Sequence, residues 1–301
     1  MQLSAELREA IERRVDAAGF REVARAVVGM SARYREGEGT ELRSDAERAA
    51  YLAVRMPATC AAIRAVMDEL PEPVGRGSLL DLGAGPGTSL WAAEEFREFT
   101  LVEQDRWLLD EGRGLAVRPA KWEQRDLRKG GPFAHHDVVL MSYSYGEIGD
   151  GALLRAAWEA ARSALVVIEP GTMAGFDCVR KVRSQLIGLG AHIAAPCPHD
   201  GECPMAGKDW CHFAARVERS SLHRRLKGGD LGHEDEKFSY VIACREPVER
   251  AAARVIRHPR HNPGYIELSL CAADGLRQQI VSKKHKEAFR LARRTEWGGR
   301  F

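Results

Sequence analysis

No run of apolar residues in this 301-residue chain approaches the roughly 18–20 that a membrane-spanning helix needs. The first ten residues, Met-Gln-Leu-Ser-Ala-Glu-Leu-Arg-Glu-Ala, hold no apolar signal segment either. There is no internal repeat and no low-complexity tract, which excludes solenoid and disordered architectures. These absences, with 45% apolar and 29% charged residues, predict a globular cytoplasmic protein without a membrane partner. In the cytoplasm the seven cysteines are expected as thiols or metal ligands rather than disulfides.

Helical spacing of Leu3, Leu7 and Ile11, and of Val23, Ala26, Val27 and Met30, predicts helices through residues 1–72. A polar break is expected at Gly37–Thr40, a capping box at Ser44–Glu47, and a division of the next helix at Pro57. From residue 78 short apolar strands alternate with helix-length intervals, as a buried parallel sheet requires. Strands are predicted at Ser78–Leu82, Thr100–Glu103, Lys121–Gln124, Asp137–Met141, Ala164–Ile168, Phe238–Cys244 and Tyr265–Leu270.

The turn after the first strand reads Asp81-Leu-Gly83-Ala-Gly85-Pro-Gly87. A phosphate-binding loop would need Gly-Lys-Ser/Thr, yet no lysine occurs between Gly83 and Lys121. A dinucleotide loop would place its third glycine where Thr88 stands. S-adenosylmethionine, which carries no phosphate, remains. The pattern resembles the first two motifs of class I methyltransferases, with Glu103 expected on the ribose hydroxyls and Asp126 near the adenine. The fourth strand runs into Ser142-Tyr-Ser-Tyr-Gly-Glu147 and lacks the Asn/Asp-Pro-Pro-Tyr of many amine methyltransferases. No catalytic residue is identified. Tyr145, Glu147 and Glu169 could shape a pocket or move a proton, or serve only packing and capping.

Cys197, Cys203 and Cys211 lie in a loop-forming segment with Pro198, Pro204, Gly201 and Gly207. Three soft thiols close in sequence point to a metal, with Cys244, Cys271, His199 or His212 as the fourth ligand. The C-x5-C-x7-C spacing matches neither the usual zinc pairs nor the common ferredoxin runs, so it does not name the metal. Residues 251–301 carry eleven Lys or Arg against four acids, and a second basic stretch runs from Arg216 to Lys227. Such clustering suits RNA.

These residues resemble a known family, the methyltransferase-like proteins of the small ribosomal subunit, which are assembly factors in bacteria and mitochondria. The resemblance rests on Leu79–Thr88, Ser142–Glu147, Cys197-Pro-His199, Cys203-Pro204, Phe238–Ile242, Arg257-His-Pro-Arg-His261, Cys271 with Asp274-Gly275, and Trp297-Gly298. It implies a [4Fe–4S] cluster on Cys197, Cys203, Cys211 and Cys271; zinc is the alternative that the thiols by themselves leave open. It also implies work on the small ribosomal subunit and its rRNA, with no DNA partner expected. One departure is that Ala272 follows Cys271 where mitochondrial relatives have paired cysteines.

The expected architecture is α/β: a class I methyltransferase (Rossmann-like) sheet with an N-terminal helical region and a cysteine-rich metal-binding insertion. Its expected parts are helices in 1–72, the S-adenosylmethionine-binding core in 73–190 and the cysteine-rich segment in 191–237. Residues 238–301 are expected to complete the sheet and metal site and to add a basic tail. The function expected is that of an S-adenosylmethionine-binding iron–sulfur protein in small ribosomal subunit assembly, acting on or beside its rRNA, with rRNA methylation as the leading activity. Its alternatives are a noncatalytic assembly scaffold and a small-molecule methyltransferase with structural zinc.

Overall fold

The computed structural model describes residues 3–36, 42–205, 207 and 209–301. The break expected at Gly37–Thr40 lies outside them. Helices α1 (Ala5–Ala18), α2 (Phe20–Glu36), α3 (Asp45–Ala50) and α4 (Met56–Met67) come first. Leu7, Ile11, Val15, Val23 and Val27 form the apolar stripe that α1 and α2 bury against α3. Ser44 caps α3 by accepting from the Glu47 N–H, and the Glu47 carboxylate reaches back to the Arg43 N–H. Pro57 does not end a helix. A π-helical turn, Tyr51–Arg55, leads into α4, and Pro57 sits in its first turn, where a missing N–H costs nothing.

The chain then alternates through β1 (Ser78–Leu82), α5 (Ser89–Ala92), β2 (Glu98–Glu103), α6 (Arg106–Leu115), β3 (Lys121–Gln124) and β4 (His136–Ser142). Next come α7 (Tyr145–Ile148), α8 (Gly151–Ala160), β5 (Ala161–Pro170), α9 (Met173–Gly188) and β6 (His192–Ala195). After them follow β7 (Phe213–Glu218), α10 (Ser221–Lys227) and β8 (His233–Cys244). The sheet order is β3-β2-β1-β4-β5-β8-β6, with β7 also on β8. Strands β1 to β5 are parallel, and β8 inserts antiparallel beside β5. This is the class I methyltransferase order, with its reversal at β1–β4.

Alternate residues of each strand face opposite layers. Leu79, Val138, Leu140, Val166 and Ile242 pack toward α4, while Leu80, Val139, Met141, Leu165 and Val241 meet residues of α8 and α9. Strands β6 and β7 pair with successive stretches of β8 on the edge away from β5. They run in the same direction, and the described residues of 196–212 belong to neither.

Of the strands expected at Phe238–Cys244 and Tyr265–Leu270, the first enters this sheet within β8 and the second does not. The later strands β9 (Ala253–Val255), β10 (Arg260–Asn262), β11 (Tyr265–Ala272) and β12 (Gly275–Ser282) build a second, antiparallel sheet. Helix α11 (Lys286–Arg294) covers one face of it, with Ala288, Phe289 and Ala292 against Ile266, Leu268, Leu270 and Val281.

Candidate functional site

The glycine loop follows β1 at the switch point. Gly83, Gly85 and Gly87 have φ of +83°, +55° and +74°, backbone that side-chain-bearing residues rarely adopt. A Cβ at Gly83 would stand 2.4 Å from Ser144 Cβ, and one at Gly87 2.6 Å from the Trp122 ring. At Gly85 the nearest atom would be Tyr51 Oη at 3.5 Å, so only there is the loop backbone uncrowded. The Gly85 N–H donates to Glu103 Oε2 at 2.9 Å, and Glu103 Oε1 accepts from the Gln104 and Asp105 N–H groups. Burial nevertheless outweighs these bonds and raises the Glu103 pKa. A carboxylate offers about four lone-pair sites, so one remains for a further donor.

Asp81 is buried, accepts from Ser89 Oγ at 2.6 Å through one oxygen, and leaves Oδ1 without a partner. Desolvation pushes its pKa up to about 7, the Ser89 bond opposing and the Glu103 charge adding. An orphaned buried oxygen is costly unless a ligand donor meets it, so the site fits a bound group carrying N–H or O–H. Asp126 stands apart, half-exposed, capping the short turn after β3 by accepting from the Arg128 N–H. Asp81, the glycines and Glu103 thus meet at one point, with Asp126 on the neighbouring strand end.

Beyond β4 the crevice is crossed by a clasp that sequence reasoning missed. Tyr143, at φ +56°, donates from Oη to Glu236 Oε1 at 2.9 Å. Arg55 forms two bonds to the same carboxylate, 2.7 and 3.1 Å, and its guanidinium lies 4.6 Å from the Tyr143 ring centre. Glu169 is buried beside it and accepts from the Gly146 N–H at 2.8 Å. Burial moves the Glu169 pKa up to about 7. That geometry is a helix-capping one for α7, and Tyr145 is packed in the core.

The four cysteines named by the resemblance line one small, mostly apolar cavity of about 40 Å³. Cys197, Cys203 and Cys211 reach it from residues 196–212 and Cys271 from β11. Buried Arg183 pins that loop by donating to the carbonyls of His199 and Gly201, at 2.7 and 2.8 Å. Ser239 Oγ holds the Cys211 carbonyl at 2.9 Å. Of the competing fourth ligands, Cys244 is in the core and outside the cavity. His212 is taken up in ring contacts with Trp210 and Trp297. His199 lines the cavity, its Nε2 4.0 Å from Cys271 Sγ.

Desolvation raises the pKa of Cys197, Cys211 and Cys271, the last to about 12, and the sulfurs disfavour one another's ionisation. Four thiolates can share such a cavity only around compensating positive charge. Among the described residues, no three His, Cys, Asp or Glu side chains are grouped so as to hold a metal ion. The four thiols share the cavity's lining, and held as thiolates they would need a cationic group between them.

Residues 45–301 match the family model described as mitochondrial small ribosomal subunit Rsm22. Among relatives is the ribosome assembly protein METTL17, mitochondrial, of Homo sapiens. It is 26% identical over 286 residues, covering 82% of this chain and 61% of that protein. The Rsm22-cox11 tandem protein 2, mitochondrial, of Schizosaccharomyces pombe is 25% identical, covering 88% of this chain and 44% of that protein. The chain thus spans roughly half of the curated relatives it matches. Similar solved structures include the magnesium protoporphyrin IX methyltransferase of Synechocystis PCC 6803 with bound SAH. That likeness has 14% identity and a TM-score of 0.42, covering 71% of this chain and 92% of the other. Among the described residues no helix is long and apolar enough to cross a membrane. The family match takes in most of the chain, which therefore belongs to the Rsm22 family of the mitochondrial small ribosomal subunit.

Proposed function

We propose that this protein acts in assembly of the small ribosomal subunit, on or beside its rRNA, as a S-adenosylmethionine-binding iron–sulfur protein. The observation that carries the reading is the convergence of Cys197, Cys203, Cys211 and Cys271 on one cavity. These four would hold a [4Fe–4S] cluster, whose several irons spread the ligand sulfurs farther apart than one zinc ion does. In the crevice, Gly83, Gly85 and Gly87 would let the cofactor approach the backbone. Glu103 would hold the ribose, Asp81 Oδ1 would accept from a donor of the cofactor, and Asp126 would flank the adenine. Bound there, the sulfonium supplies an activated methyl with its own leaving group. The protein's part would be to align an RNA nucleophile with it. A cytoplasmic place of work belongs to the same proposal.

The clasp of Arg55, Tyr143 and Glu236 favours a second reading, a noncatalytic scaffold. It lies where an acceptor would enter, outside the carboxyl end of β4. The experiment is anaerobic purification with iron and zinc analysis, then incubation with small-subunit precursors and radiolabelled cofactor. Brown protein with iron and cofactor-dependent label in rRNA supports the enzyme. Iron and subunit binding without label support the scaffold. One equivalent of zinc and a colourless protein that ignores precursors overturn both.

A further inference from the structure

The basic tail is not one surface. Five of its cations are engaged within the protein: Arg254 and Arg300 on Glu69, Arg257 on Asp209, Arg260 on Glu267 and Arg277 on Asp274. In the Arg216–Lys227 stretch all cations but Arg224 are likewise committed, with Arg216 on Asp235, Arg219 and Lys227 on Glu234, and Arg225 over the Phe20 ring. Lys283, Lys284, Lys286, Arg290, Arg293 and Arg294 are different. All six are exposed, and among the described residues none has an ion pair.

Their placement is ordered. Lys286, Arg290, Arg293 and Arg294 stand at i, i+4, i+7 and i+8 of α11, one stripe opposite the side of partly buried Ala288 and buried Ala292. Lys283 and Lys284 continue it in the turn from β12. The stripe advances in steps of about 5–6 Å per turn, comparable with successive phosphates along a nucleic-acid strand. The helix dipole favours cations in a last turn and disfavours them at the start. That accounts for Arg293 and Arg294 but leaves Lys283, Lys284 and Lys286 unexplained by helix stability. The acids nearby are Glu287 and Glu296, both exposed.

We propose that this outer face of α11, with the turn before it, docks the sugar–phosphate backbone of helical RNA. The stripe holds no Phe, Tyr or Trp, since Phe289 packs against the second sheet and His285 is the one ring in the turn, so it offers chiefly charge to phosphates rather than a platform for unpaired bases. It would position the protein on RNA without reading sequence. This rests on the ribosomal reading above and names the surface that serves it.

The test is anisotropy titration of the full chain with two labelled hairpins, one from small-subunit rRNA and one unrelated, across a salt series. Compared are wild type, R290A/R293A/R294A, R290K/R293K/R294K, and R106A/R113A on α6. The alanine triple is expected to flatten the dependence of log K on log salt by about 1 per cation removed, about 3 in all, for both hairpins. The lysine triple and the α6 variant are expected to keep the wild-type slope, and unchanged thermal midpoints exclude misfolding. Wild-type affinity and slope in the alanine triple overturn the docking face and leave the ribosomal reading standing. Loss of binding to precursor particles alone, with free RNA unaffected, assigns the face to a ribosomal protein and also overturns it. A wild type that binds neither RNA nor precursors overturns both.

Discussion

Arg254 and Glu69 meet at 3.0 Å across 185 residues of sequence, and the arginine is buried. The same guanidinium donates to the Pro196 carbonyl at 3.0 Å and to the Gly298 carbonyl at 2.6 Å. One side chain therefore ties the turn after α4, the start of the cysteine loop and the Trp297-Gly298 segment. Removing one member of a buried pair strands the other. Arg254→Ala is expected to cost about 3 kcal/mol, read by urea denaturation.

The pair also sets an acid limit. Burial alone would raise the Glu69 pKa, but the Arg254 and Arg300 bonds and charges override it and hold it below its ordinary value of 4.5. A carboxylate held low in the folded state contributes stability above its unfolded pKa, lost as pH falls through the folded one. Wild type is thus expected to lose stability steadily below about pH 4.5. Glu69→Gln is expected to be less stable at pH 7 and to show a shallower decline there, measured by thermal midpoints across pH.

Asp81 titrates the other way. Its pKa is raised to about 7, so folding disfavours the charged form and stability falls as pH rises toward 7. Asp81→Asn is expected to be more stable than wild type at pH 8 without ligand, by roughly 1–2 kcal/mol. Calorimetry with S-adenosylmethionine is expected to show weaker binding by the same variant. Tighter binding by the amide would sink the assignment of Oδ1 to the cofactor.

Gly83 and Gly85 separate space from conformation. Gly83→Ala meets Ser144 at 2.4 Å and is expected to lose both cofactor binding and stability. Gly85→Ala has room, and is expected to cost only about 1–2 kcal/mol for its left-handed backbone. Chemical denaturation in parallel with cofactor titration distinguishes the two.

Cys271→Ser and Cys244→Ser test the fourth ligand. Serine at 271 is expected to lower iron per chain and bleach the visible absorbance. Serine at 244 is expected to leave iron intact while destabilising the core by about 1–3 kcal/mol through an unpaired hydroxyl. Loss of iron at 244 alone would remove Cys271 from the ligand set.

The main sheet was legible because its strands are apolar and spaced by helices. Ser78–Leu82 and Lys121–Gln124 have the predicted bounds, while β4 and β5 extend farther than predicted. Of the second sheet only the central strand β11 was legible, predicted at Tyr265–Leu270. Strands β9 and β10 have three residues each, and β12 interrupts its apolar residues with Arg277, Gln278 and Gln279, leaving no apolar run to detect. Strand β7 did carry a period of two, with Phe213, Ala215 and Val217 buried between exposed neighbours, but it lies inside the cysteine-rich and basic stretches that drew the reading. Spacing marked three cysteines and left the fourth ligand open, since Cys271 is distant in sequence and only folding brings it to the cavity. The Arg55–Tyr143–Glu236 clasp joins three distant segments and leaves no local pattern at all.

Strands β6 and β7 lie in line along one border of β8, Ala195 opposite Ile242 and Phe213 opposite Phe238. The four positions from Phe238 to Ile242 mean that a bridge of about three residues could replace 196–212 without changing either register. Strand pairing and thiol chemistry thus occupy separate stretches of chain, joined through Arg183 and Arg254, whose carbonyl partners at 196, 199 and 201 such a bridge would remove. A shortened chain that keeps the sheet and lacks three of the sulfurs would let each be measured without the other.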